Sequence, residues 1–355
     1  MLLFFLFTAL FFCSVLFMLV NGSKNVHLEL SKDLFLSRKH TDAVKGIAAI
    51  AIMISHIAAR IQNGVSGPTQ YYVMLCGTLG GMGVNLFFFA SGFGNFYSLK
   101  KTDDQVPERL KWLLKRIVSV VSVYLVCFVL TSVVLRIGGY SQTTIEFIKN
   151  IVRLRMPLRA TWYLKVQILL YIILTISCFF TNKTMQGVML VGGSFISALL
   201  FNKLGYAEEW WKSTMCFAVG YYCAMYKEDV IQTMNRKRVL VGGLSLLLLP
   251  LSYGMICLFD NRFIIEILGN TIMMVSMLII AEYVRLDDRI AGILGTASLE
   301  IYLVHISLCS WFLRDNMPDT IGILSVLVWT AVTAIAAKVA YDRIMACLKS
   351  FKARK

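Results

Sequence analysis

Residues 39–60 read KHTDAVKGIAAIAIMISHIAAR, and the rest of the chain is organised around them. This is an apolar run with a cation near its start, Lys45, and an imidazole deep inside, His56. The two lie eleven residues apart. On an α-helix that spacing is about 16 Å of rise with only about 20° of net rotation, so both project from one face. Lys45 can hold an anion at the membrane surface while His56 presents a titratable group well inside. An ionisable group within a spanning helix is costly, so it reads first as a functional site facing the bundle interior. A histidine bonded to a neighbouring helix for packing is the competing reading.

Composition sets the class. Of the 355 residues, 58% are hydrophobic and 15% charged, with a mean hydropathy of +0.71; a soluble domain carries about a quarter charged residues. Several continuous apolar runs are long enough to cross a bilayer, and continuous rather than alternating runs argue against a β-barrel. The fold class expected is all-α, a polytopic transmembrane bundle of about ten core spans with one extra N-terminal span. The net charge of +15 collects in short loops and the tail, as positive-inside anchoring demands, and needs no nucleic acid. The nine cysteines show no zinc spacing and read as small buried hydrophobes, and no metal is expected.

Residues 1–20 form an apolar run with no basic leader and no small-residue cleavage site, so a retained anchor over 1–22 is expected rather than a cleaved signal peptide. Lys24, Lys32, Arg38, Lys39 and Lys45 then mark a cytoplasmic segment, so the first main helix runs outward with His56 in its outer half. Spans are expected at about 71–98, 117–136, 160–181, 186–202, 210–226, 239–259, 263–284, 291–312 and 320–342, making a domain of 38–345 with a basic tail at 346–355. His27 and His40 fall in the first loop. No soluble domain is expected beside the bundle. One outer segment, 137–159, breaks the charge rule: it holds Lys149, Arg153, Arg155 and Arg159 against Glu146 alone. Either the topology is drawn wrongly there, or the charge serves an anionic acceptor or a lipid phosphate.

Four constellations carry chemistry. The span 291–312 contains SLEIYLVHISL with Glu300, Tyr302 and His305; His305, about 21 Å up from the inner end by helix rise, reaches the depth of His56. Tyr302 shares its face, three residues earlier. The glycine-rich stretch 77–94, which also holds Asn85 and Ser91, reads either as close helix packing or as a slot for an acyl chain. ERLKWLLKRIV places Arg109 and Arg116 seven apart, Lys111 and Lys115 four apart, and Trp112 four before Arg116. That is a cationic pad beside an aromatic plate, fit for a nucleotide's phosphates or for plain anchoring. ATWYLKVQ sets Trp162 and Tyr163 at an outer interface, with Lys165 and Gln167 further in.

In this order, Lys45–His56, GVNLFFFASGFG (Gly83 to Gly94), the basic cytoplasmic segment, WYL (Trp162 to Leu164) and SLEIYLVH (Ser298 to His305) resemble the integral-membrane acyltransferase family 3, the bacterial glycan O-acyltransferases. The chain departs from the family pattern at Lys45 (usually Arg), Asn85 (often acidic), Leu113 (the Arg-x-x-Arg pair) and Gln167 (often Glu). The resemblance implies an acyl-CoA donor, most often acetyl-CoA, held by Lys45, Lys111, Trp112, Lys115 and Arg116 with Asn85 and Ser91. It implies a catalytic His56 aided by His305 and Tyr302. The acceptor, a glycan or lipid-linked saccharide, would meet Trp162, Tyr163, Gln167, Arg155, Arg159 and Glu300. His56 is then a general base, or the site of an acyl-histidine, fed through a continuous passage from the cytoplasmic face of a bacterial plasma membrane. Self-association is left open. A polysaccharide-intermediate transporter is the rival class, although secondary transporters pair interrupted helices in matching halves and no second half mirrors 77–94. A membrane scaffold gives no reason for two histidines at one depth.

Overall fold

The computed structural model describes residues 1–24, 29–103, 105–180, 182–259, 262–286, 288–314 and 319–353; His27 lies outside them. Eight helices among these are long and apolar enough to cross a membrane. They are α1 (Leu2–Ser23), α2 (Arg38–Ile61, extended by a short turn to Gly64), α3 (Pro68–Leu99), α4 (Val106–Ile137), α7 (Lys183–Lys203), α10 (Arg238–Leu258), α11 (Phe263–Val284) and α14 (Thr320–Ala353). The all-α polytopic bundle is therefore what the chain forms. Inner and outer below follow the positive-inside orientation.

Three expected spans take other shapes. Two are short: α6 (Trp162–Ser177) has 16 residues and α8 (Thr214–Met225) has 12. At 1.5 Å per residue they rise about 24 and 18 Å, less than a full hydrocarbon core, which is tolerable because much of each is buried against neighbouring helices. The third, 291–312, is broken into α12 (Arg289–Thr296) and α13 (Ser298–Phe312), bent by 73°. The bend follows from packing. α12 lies tightly on α2, with Gly46 against the Ala291 carbonyl and Gly295 against that of Asp42. Any Cβ at either glycine would collide with backbone, so α12 follows α2, and α13 must turn to enter the bundle.

The same device joins α3 to α8. Gly92 meets the Phe217 carbonyl and Gly220 meets that of Phe89, small residues letting two backbones approach as membrane interfaces favour. The glycines of 77–94 thus divide. Gly83 and Gly92 serve packing, whereas Gly77, Gly80 and Gly81 line a cavity.

Local signals set the helix starts. Ser37 caps α2 by accepting from the His40 N–H, Pro68 opens α3, and Asp288 caps α12. His40 is no loop residue. It is buried in the first turn of α2, 2.8 Å from the Glu282 carboxylate of α11, which also accepts from the Leu36 N–H at 3.2 Å. α4 runs unbroken from its basic inner end, so the pad is its first turns rather than a separate element. α14 likewise continues through the boundary placed at 345.

The outer segment 137–159 is folded. Thr143 and Glu146 form a capping box that starts α5 (Thr144–Val152), and Arg155–Met156 pairs with Arg159–Ala160 in a small antiparallel hairpin, β1 and β2. Leu154 just before it and Leu158 in its turn have positive φ, 48° and 67°. Such strain persists only where surroundings fix it. Here Tyr124 donates to the Asn150 and Arg155 carbonyls, each at 3.0 Å, and Ser307 of α13 donates to the Pro157 carbonyl at 2.6 Å. α9 (Lys227–Arg236) completes the set, linking α8 to α10 on the inner side.

Candidate active site

α2 and α13 bring the two membrane histidines into contact. His305 Nε2 lies 3.0 Å from His56 Nδ1. His305 Nδ1 is 2.8 Å from the Ile301 carbonyl and His56 Nδ1 is 3.0 Å from the Ile52 carbonyl. These contacts assign the tautomers of the neutral rings. A carbonyl only accepts, so His305 Nδ1 carries the hydrogen and its Nε2 the lone pair. His56 Nδ1 then faces two acceptors and must be the donor to both, which leaves the lone pair of His56 on Nε2. His56 lines an outer cavity of about 280 Å³ with Ser55, Gly80, Trp162 and Tyr302, whereas His305 is fully buried. The arrangement is a base oriented by a second group, the logic of a nucleophilic triad without its acid.

A second, larger cavity of about 800 Å³ opens at the inner side. Its walls carry five cations, Arg38, Lys45, Lys101, Lys227 and Lys338, against one acid, Asp42. Asp42 pairs with Lys45 at 2.6 Å and approaches Arg38 at 3.7 Å. Burial draws Lys227, at the start of α9, below the usual lysine range, partly offset by Glu282. That is the direction burial gives a cation. Ser91 and Gln167 face each other in this cavity, the amide donating to the hydroxyl at 2.9 Å. A side chamber of about 570 Å³ shares Lys101 and is lined by Lys111, Trp112, Lys115 and Arg116. There Lys111 pairs with Glu108 at 2.6 Å, Trp112 donates to Ser98 at 2.9 Å and Arg116 lies over the Trp112 ring at 5.6 Å.

The two cavities share no lining residue. Between them stand three rings: Tyr163 and Tyr302 with centroids 5.0 Å apart, and Phe87 at 6.2 Å from each. Phe87 and Tyr163 belong to the inner cavity, Tyr302 to the outer. The continuous passage expected from the sequence is thus replaced by two chambers with an aromatic partition.

Several expected placements change. Gln167 and Tyr163 line the inner, not the outer, cavity. Glu300 is buried near the inner end of α13, within electrostatic reach of Lys338 and Lys45, away from the outer cavity because the bend after α12 shortens its climb. Asn85 lines neither chamber; it donates to the Asn270 side chain at 2.9 Å as a buried interhelix bond. Trp162 lines the outer cavity with His56. Arg155 sits on the hairpin, and Arg159 donates to Ser310 at 2.9 Å.

Sequence reading missed Lys338, Lys227 and Lys101 on the inner wall, and Glu209 and Lys212 on the outer one. Lys338 was detectable, a lone cation within an apolar span. The others come from loops or helix ends whose apposition no local pattern announces. A family model for an acyltransferase domain, acyltransferase family 3, matches residues 39–341. No curated protein and no solved structure matched the chain.

Proposed function

The chain belongs to acyltransferase family 3, a family of membrane acyltransferases, and from that premise we propose that it is an O-acyltransferase of a bacterial plasma membrane. It moves an acyl group, most simply acetyl, from cytoplasmic acyl-CoA to a hydroxyl of a cell-surface or lipid-linked glycan. The observation that carries this reading is the hydrogen-bonded histidine pair, which leaves His56 Nε2 as a free base on an outer cavity backed by a cationic inner one.

The chemistry follows from the geometry. The nucleotide phosphates rest among the cations of the inner cavity and its side chamber, as charge-assisted contacts favour. The thioester end points toward Ser91, Gln167 and the ring partition. The acceptor enters from outside, its hydroxyl against His56 Nε2. His56 takes the hydroxyl proton as the oxygen attacks the thioester carbon, and the charge forming on its ring is stabilised through Nδ1–H by the His305 lone pair. The C–S bond breaks, His56 returns the proton to the departing thiolate sulfur, and coenzyme A leaves inward as the thiol. Tyr302, on the wall of the outer cavity, donates its hydroxyl to the developing oxyanion. Reaction requires the partition rings to turn aside, so donor and acceptor meet only when both chambers are engaged. The outer chamber suits a single sugar ring rather than passage of a polymer, which favours transfer over transport.

The test is direct. His56→Ala, inserted at wild-type level, should abolish acylation of surface glycans read by mass spectrometry. Unchanged glycan acylation in that variant overturns the proposal.

A further inference from the structure

Two arginines meet on one neutral oxygen at the outer end of the site. Arg60 Nη2 donates to Ser310 Oγ at 2.9 Å, and Arg159 Nε donates to the same atom at 2.9 Å. Ser310 passes its own hydrogen to the Ile306 carbonyl at 2.9 Å, so both of its lone pairs are taken. The two donor nitrogens are therefore no more than 5.8 Å apart, twice 2.9 Å. Neither guanidinium has an ion pair with an acid among the described residues. Like charges brought so close repel unless an anion joins them.

Their position ties them to the reaction. Arg60 lies four residues beyond His56 on α2, on the same face and about 6 Å further out. Ser310 lies five residues beyond His305 on α13. Arg159 is fixed by the hairpin, whose strained Leu158 turn is pinned to α13 through Ser307. We propose that Arg60, Arg159 and Ser310 form a seat for an oxyanion of the acceptor, a phosphate or a carboxylate, one helical turn outward of the catalytic imidazole. This deepens the acyltransferase reading by naming the acceptor class, an acidic or phosphate-bearing saccharide. Guanidinium forks match such groups in shape as well as charge.

The test separates binding from reaction. Full-length protein in neutral phosphatidylcholine nanodiscs is titrated with glucose, glucuronate and glucose 1-phosphate at low salt. Expected is at least tenfold tighter binding of an anionic sugar than of glucose, with the tighter of the two naming the group. Arg60→Gln and Arg159→Gln should each erase most of that preference, Arg159→Lys should keep part of it, and His56→Ala should leave it intact. Equal binding of all three sugars, or a preference that survives the double Gln variant, overturns the proposal. So does loss of the preference when a third of the lipid is phosphatidylglycerol, since a headgroup would then own the seat. An anion preference in a protein that transfers no acyl group would retain this inference and sink the acyltransferase reading instead.

Discussion

His305→Phe isolates the partner of the base. The substitution keeps a ring of similar bulk in a fully buried position and removes the Nε2 lone pair that faces His56 Nδ1 at 3.0 Å. The Ile301 carbonyl, which also loses the imidazole hydrogen, keeps its helical backbone bond, so the fold should survive. What disappears is a hydrogen bond to a group that becomes cationic as the reaction proceeds, worth about 1.5–3 kcal/mol. At 1.36 kcal/mol per decade this lowers kcat roughly 10- to 150-fold. KM for acetyl-CoA should stay within about twofold by the same reasoning, because His305 lines neither cavity and the lost bond strengthens only in the transition state. The assay is thiol release from acetyl-CoA by purified membranes that contain the acceptor. His305→Gln, whose amide oxygen can still accept, should recover part of the loss. A kcat within threefold of wild type in His305→Phe, or a raised KM with kcat intact, would refute the assigned tautomers and the role built on them.

Three further outcomes follow from the chambers and the crossings. Lys227→Met with Lys338→Met removes two cations of the inner wall, so KM for acetyl-CoA should rise about tenfold or more, about 1.4 kcal/mol of binding; steady-state kinetics that show a changed kcat and an unchanged KM would count against phosphate binding there. Phe87→Ala opens the ring partition and should convert transfer into acceptor-independent thioester hydrolysis, seen as coenzyme A release in membranes stripped of acceptor. Gly92→Ala forces a methyl group into the Phe217 carbonyl and should cost about 1–3 kcal/mol, read as a lower unfolding temperature in detergent, while Gly94→Ala, with open space around it, should change nothing.

Much of this was legible in the sequence because hydropathy is a strong signal in lipid. Ten of the eleven apolar segments became single helices and the eleventh the bent pair α12 and α13, and the depth argument for His56 and His305 ended in a direct contact. Length was less legible. α6 and α8 are shorter than a bilayer core because their neighbours, not lipid, receive their ends. The break between α12 and α13 was hidden because it comes from Gly46 and Gly295 on separate helices, a tertiary fact. For the site, polar residues inside spans pointed to the right region but not to the right chamber. Tyr163 is the next residue after Trp162 and Gln167 the fifth, yet both line the chamber on the other side of a partition that only the packing of three helices creates. Arg60 was within reach of pattern reading, one turn beyond His56, but its meaning depended on Arg159 arriving from the outer segment whose excess charge had no assigned partner.

The ring partition has a consequence for the cell as well as for the reaction. A pore joining the cytosol to the outer face beside two imidazoles would conduct protons and drain the gradient that energises the membrane. On the proposed reading Phe87, Tyr163 and Tyr302, set tilted and edge-on to one another, act as insulation there, and the seal opens only for the moment in which an uncharged acyl group goes through.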